Sequence, residues 1–270
     1  DAILKTKTIK LQETEALLRL SGGDGRKLLN TFELIVNATP EGEPVVITND
    51  SVLRLVQKNT VLRKTYSLLA LSFVPAAIGA LVSGKMGFSL YAMLGGRWMS
   101  FIVVMAFFYG MIFLIEKNRY SNVGATLLMV FTFGMGVLLS PLLQYALNFS
   151  NGTQIVGIAS VMTAAVFFTM AAMARRTTMN MNSLGRFLTV GAVVLMIAVV
   201  ANFTLQIPAL SLTISAGFVL FSSLMIMWQV RTVIDGGEDS HISAALTIFI
   251  SLYNIFSSLL HLLTALAGDD

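Results

Sequence analysis

PALSLTISAGFVLFSSLMIMWQ, residues Pro208–Gln229, runs for 22 residues without one charged side chain. A helix rises about 1.5 Å per residue, so about 20 apolar residues cross about 30 Å of hydrocarbon. A strand would cross in about half that length, and lipid leaves open backbone groups without partners. The stretch is therefore a membrane-crossing helix. Six further apolar runs of similar length predict six more: Thr65–Gly84, Trp98–Ile115, Asn122–Ala146, Gly152–Ala174, Leu184–Thr204 and Ser243–Leu266.

Composition agrees with this reading. Hydrophobic residues make up 56% of the chain, charged residues 12%, and the mean hydropathy is +0.78. Soluble domains carry about twice that charge. Eight of the 14 Asp and Glu residues precede Ser51, which divides the chain into a polar head, residues 1–58, and an apolar body, residues 59–270. The expected fold class is all-α: a polytopic seven-helix transmembrane bundle preceded by a small soluble helical segment.

Loop charge sets the orientation, because cytoplasmic loops retain Lys and Arg. With the N-terminus inside, the cytoplasmic side collects Arg54, Lys58, Arg63, Lys64, Lys117, Arg119, Arg175, Arg176, Arg186 and Arg231. The outside holds only Lys85 and Arg97. That places the N-terminus inside and the C-terminus outside. The net charge of +4 is thus a topology signal and not a sign of nucleic-acid binding. Small residues at one-turn spacing, Ala76, Ala80 and Gly84 in the first span and Gly136 and Ser140 in the third, predict closely approaching helices.

In the head, Leu11–Leu20 and Leu28–Val36 read as amphipathic helices, with Asp24 as the N-cap of the second. Pro44–Thr48 reads as a short strand or extended piece. Asn49-Asp50-Ser51 should then cap a third helix, Val52–Lys58. So little apolar surface makes a marginal independent domain.

Catalytic patterns are missing from the sequence. There is no cysteine, no HExxH, no GxSxG and no GxxxxGK[ST], so neither thiol chemistry, nor a zinc protease, nor a nucleotide-triphosphate loop is expected. No catalytic residue, metal site or cofactor is assigned. Of the two histidines, His241 lies in a cytoplasmic loop, and His261, late in the last span, is expected to pack on a neighbouring helix or sit at the outer interface. The concentrated polar set is Gln229, Arg231 and Asp235 at the end of the sixth span, with Ser251, Tyr253 and Asn254 in the seventh. Gln229, Arg231, Asp235, Ser251 and Asn254 form the candidate gate or docking cluster.

NTVLRKTYSLLALSF (Asn59–Phe73), ANFTLQIPALSLTISAGFVLFSS (Ala201–Ser223) and VIDGGEDSHISAALTIFISLYNIFSSLL (Val233–Leu260) together resemble the Bax-inhibitor family, in its bacterial YccA-like branch. The resemblance implies a bacterial inner-membrane protein without enzymatic activity. It also implies one of two roles: modulating the membrane-anchored FtsH protease, or acting as a calcium leak gated by a proton-sharing acidic pair. The positions of that pair correspond here to Gln229 and Ser251. Neither titrates, so pH gating loses its sensor and protease modulation moves ahead.

LSGGDGRKLLNTFELIV (Leu20–Val36) and VVITNDSVLRLVQKNTVL (Val45–Leu62) resemble the lid region of an AAA+ ATPase of the RarA/MgsA type. That resemblance implies that Arg26 is the remnant of a nucleotide sensor. Without an upstream phosphate loop it has nothing to sense. The two resemblances meet around Lys58–Leu62, as expected of a chimera.

Overall fold

A computed structural model describes residues 8–39, 43–87 and 96–268. Residues 1–7 and 40–42 of the expected soluble segment, and 88–95 and 269–270 of the expected transmembrane domain, lie outside the described residues. The chain forms two compact units, residues 1–63 and 64–270.

In the first unit, strands β1 (Ile9–Leu11) and β2 (Val45–Ile47) pair in parallel, with Ile9 opposite Val45 and Leu11 opposite Ile47. Helices α1 (Glu15–Ser21) and α2 (Gly25–Ala38) connect them. The first helix therefore starts four residues later than its apolar pattern predicted. Leu11 is committed to a strand, and the strand's partner, 36 residues on in register, is invisible to local periodicity. Asp24 caps α2 as expected, its carboxylate accepting from the N–H groups of Arg26 and Lys27. The two strands and the helices bury a small core of Ala16, Leu17, Ile35, Val36, Val45, Ile47 and Val52.

The third head helix does not stop at Lys58. It is the start of α3, one helix spanning Asn49–Met86. Residues 58–64 contain neither glycine nor proline, and Lys, Arg and Leu are good helix formers, so nothing breaks the turn. The cap lies one residue earlier than predicted. Thr48 and Ser51 exchange bonds, Thr48 N–H to Ser51 Oγ at 3.0 Å and Ser51 N–H to Thr48 Oγ1 at 3.1 Å, a reciprocal capping arrangement. Asn49 is used elsewhere: its side-chain oxygen accepts from the Ala16 N–H at 2.7 Å.

The second unit contains the remainder of α3 and six further helices. These are α4 (Arg97–Lys117), α5 (Asn122–Leu147), α6 (Gly152–Arg176), α7 (Met181–Leu205), α8 (Pro208–Asp235) and α9 (His241–Ala267). With α3 they make seven helices long and apolar enough to cross a membrane among the described residues. α9 occupies the middle, packed against α8, α6, α5 and α4. Aromatic rings fill one level of the interior, where Phe131 of α5 lies between Phe107, Phe108 and Phe249. On the outer side of the bundle, His261 of α9 bonds Ser215 of α8 through Nδ1 at 2.9 Å.

The small-residue stripes mark where α3 meets α5. A Cβ on Gly136 would run into the Ala76 carbonyl, and one on Gly79 into the Phe133 carbonyl. Such spacing lets two backbones approach closely where no water drives association.

Candidate functional site: the cytoplasmic end of the α8–α9 pair

α8 ends at Asp235 because Gly236 turns left-handed at φ 81°. The Gly236 N–H reaches the Val233 carbonyl at 3.1 Å and the Gly237 N–H reaches Thr232 at 2.9 Å. These bonds satisfy carbonyls the helix end would otherwise strand, and glycine adopts this φ without a Cβ penalty. Four residues on, Ser240 caps α9, its hydroxyl oxygen accepting from the Ser243 N–H at 3.2 Å. Glu238 and Asp239 are held between the two caps.

Arg119, in the turn between α4 and α5, gathers these acids. Its guanidinium bonds Glu238, meets Glu116 at 3.3 Å and lies 3.4 Å from Asp239. Glu116 accepts a further bond from the Ser243 hydroxyl at 2.7 Å, and Ser240 donates its hydroxyl to the Arg119 carbonyl at 2.7 Å. Tyr120 donates to Asp239 at 2.8 Å, and the guanidinium lies 5.1 Å from the centre of the Tyr120 ring. Burial alone would lower the Arg119 pKa, but Glu238, Glu116 and Asp239 outweigh it and raise it. The Tyr120 hydroxyl is likewise held above its ordinary range, chiefly by its bond to Asp239. This cluster ties the α4–α5 turn to the α8–α9 loop through charge-assisted bonds, the stronger class of hydrogen bond. Among the described residues no three His, Cys, Asp or Glu side chains converge closely enough to hold a metal ion.

The residues singled out in the sequence separate into two groups. Arg231 and Asp235 pair with each other at 2.9 Å along the last turn of α8, and Arg231 also reaches the Ala174 carbonyl at the end of α6. Deeper in, Gln229 and Ser251 are both buried. Ser251 spends its hydroxyl on the Thr247 carbonyl at 2.9 Å. The Gln229 amide nitrogen is buried without a hydrogen-bond partner among the described residues. Asn254 is half-buried three residues beyond Ser251. Arg26 lies far along the chain in the first unit, exposed at the start of α2.

The Arg119 cluster is what sequence reading missed. Its partners are about 120 positions apart. The available signal was scarcity. Only six acids follow Asp50, and three of them, Glu116, Glu238 and Asp239, meet on one arginine.

Residues 58–268 match the family described as "Inhibitor of apoptosis-promoting Bax1". An uncharacterized protein of Neisseria meningitidis serogroup A is 72% identical over 221 residues, 82% of this chain and 97% of that protein. An uncharacterized protein of Pseudomonas aeruginosa is 39% identical over 82% of this chain and 96% of its own length. The Escherichia coli K12 protein named "Modulator of FtsH protease YccA" is 36% identical over 83% of this chain and 99% of its own length. With seven spans and these relatives, the chain belongs to the Bax-inhibitor family and is a multi-pass protein of the bacterial inner membrane.

Proposed function

We propose that the chain is a non-enzymatic modulator of a membrane-bound protease of the FtsH type. One observation carries this reading: the Escherichia coli relative named for that role aligns over 99% of its length. Each part of the relative therefore has a counterpart here. The Arg119 cluster is the surface offered to such a partner. It lies on the side the loop charges assign to the cytoplasm, and it holds Tyr120 and Asp239 outward on an otherwise braced pair of loops.

The test uses the full chain in its native membrane with a photoreactive phenylalanine at Tyr120. Illumination should yield an adduct containing an FtsH-type protease, and a matched probe at lipid-facing Val193 should not. If Tyr120 captures no such protease while the chain is present at normal level, the reading fails.

A second reading, a passive cation leak, is favoured by the buried and unpartnered Gln229 amide beside the packed α8–α9 pair. A buried polar group without a partner costs about 1–3 kcal/mol, and a polar path is one reason to retain it. Calcium flux into proteoliposomes carrying the full chain decides the matter. Under the leak reading flux should exceed empty liposomes and stay level between about pH 8 and pH 6, because neither Gln229 nor Ser251 titrates. Flux at the level of empty liposomes removes the leak.

A further inference from the structure

A cleft of about 1790 Å³ opens in the second unit between α3, α5, α6 and α9. Pockets for drug-sized molecules measure about 300–1,000 Å³, so this one is too large for a small metabolite to fill. Its long walls are apolar, built by Phe73, Leu139, Ala164, Phe168 and Phe256 among others. Two hydroxyls that reach it are already used: Ser160 donates to the Val156 carbonyl at 2.8 Å and Thr163 to the Ala159 carbonyl at 2.7 Å.

Charge enters the lining at one end only. Among the described residues Arg175 and Arg176 are its sole charged lining, on the last turn of α6, and the buried Tyr66 hydroxyl lies beside Arg175. Arg119 and Arg231 each have carboxylates within 4 Å, whereas neither Arg175 nor Arg176 has one among the described residues. The loop charges place this end at the cytoplasmic side. A long apolar slot with two uncompensated cations at one mouth has the polarity of an anionic amphiphile, and basic pockets between spans on this side suit anionic head groups.

We propose that the cleft binds an anionic phospholipid of the inner leaflet, its acyl chains along α3, α6 and α9 and its phosphate on Arg175 and Arg176. The lipid supplies the apolar fill that protein side chains leave out, and its head group supplies the counter-charge. A zwitterionic lipid would fit the slot but leave the two cations only partly compensated, so the site discriminates by head group.

The experiment is native mass spectrometry of the detergent-purified full chain, titrated with phosphatidylglycerol or phosphatidylcholine of identical chains. Phosphatidylglycerol adducts should persist several-fold better. R175Q/R176Q should lower phosphatidylglycerol retention to the phosphatidylcholine level. A164W, an uncharged change inside the slot, should lower retention of both lipids while leaving the elution profile monodisperse. Equal retention of the two lipids by the unaltered chain would overturn the proposal. So would an unchanged preference in R175Q/R176Q, or full retention in A164W. Inorganic phosphate separates the lipid from its head-group chemistry alone: if phosphate by itself displaces the lipid adduct and raises the melting temperature equally, the site is an anion site only and the lipid assignment is wrong.

Discussion

α9 and α7 are both transmembrane helices of similar length, yet they live in different solvents. In the most apolar window of α9 half of the residues are buried in the protein, and in that of α7 only 6%. The mean hydropathies of those same windows run the other way, 1.7 for α9 and 2.3 for α7. In a soluble protein the more apolar helix would be the inner one. In lipid, hydrocarbon already satisfies apolar surface, and the interior goes to the helix whose small and hydroxyl residues pack tightly. α9 buries Ser243, Ser251, Ser258 and Thr264 together with Ala244 and Ala245. α7 turns Val190, Val193, Val194 and Ile197 outward. The span whose most apolar window has the lowest mean hydropathy is thus the one that organises the bundle.

The sharpest way to break this contrast is to overfill each helix in the same way. Ala245 is completely buried and Val193 is 56% exposed. A245F should cost about 1–3 kcal/mol or more, since extra volume in a packed interior forces neighbours off their rotamers. V193F should stay within about 0.5 kcal/mol. Denaturant titration of the two detergent-solubilised variants measures the difference, and equal losses would mean that α9 is not the packed centre.

A smaller effect is expected where α9 begins. R119Q removes the cation that joins Glu116, Glu238 and Asp239, leaving the mostly buried Glu238 carboxylate with less compensation. The cost should be about 1–2 kcal/mol, discounted because the Arg119 side chain is 29% exposed. R119K should recover only part of it, because lysine lacks the planar fork that serves several carboxylates at once. Full recovery would argue for a simple point charge.

Smaller still is Q229L. Replacing an orphaned buried amide by an apolar group of similar size should leave stability unchanged or raise it by up to about 1 kcal/mol. A clear loss would show that the amide has a partner in the membrane, such as water in a polar path. At the exposed rim the change is one of titration. The Tyr120 pKa is raised by its bond to Asp239, so D239N should return the hydroxyl toward its ordinary value near about 10. The sign is that of a raised group: its contribution to folding is present below the unfolded value and fades as pH rises through the folded one. Ultraviolet difference spectra against a Tyr120→Phe control follow that ionisation.

The spans were legible because about 20 uninterrupted apolar residues have one solution in lipid, and the helices fall within a few residues of their expected bounds except where α3 begins at Asn49 and where α8 runs on to Asp235. Close packing at Gly136 was legible from spacing alone. The strand β1 was not, since three residues, Ile9-Lys10-Leu11, show no usable alternation until Val45–Ile47 is beside them. The continuity of α3 was obscured by the charges of residues 58–64, which look like a boundary in composition but are ordinary helix formers. The resemblance of the head to an AAA+ lid finds no support in the comparisons: the family match begins at residue 58 and leaves the head out. Around the candidate site, Gln229 and Ser251 could be flagged as polar residues at matching depth. Arg119 looked like a loop charge that marks the inside, and nothing local tells a topology-setting arginine from one that ties two loops together.

The central position of α9 also bears on biogenesis. In chain order this helix follows the other six, and it is the one against which α4, α5, α6 and α8 pack. Until it arrives the earlier spans have no partner for the faces that will enclose it. Bundle closure should therefore follow insertion of the earlier spans, because α9 finds its packing partners among helices made before it. Interrupting synthesis just before Ser240 should leave a threaded but unclosed intermediate, with the interior faces of α5, α6 and α8 exposed to whatever quality control patrols the membrane.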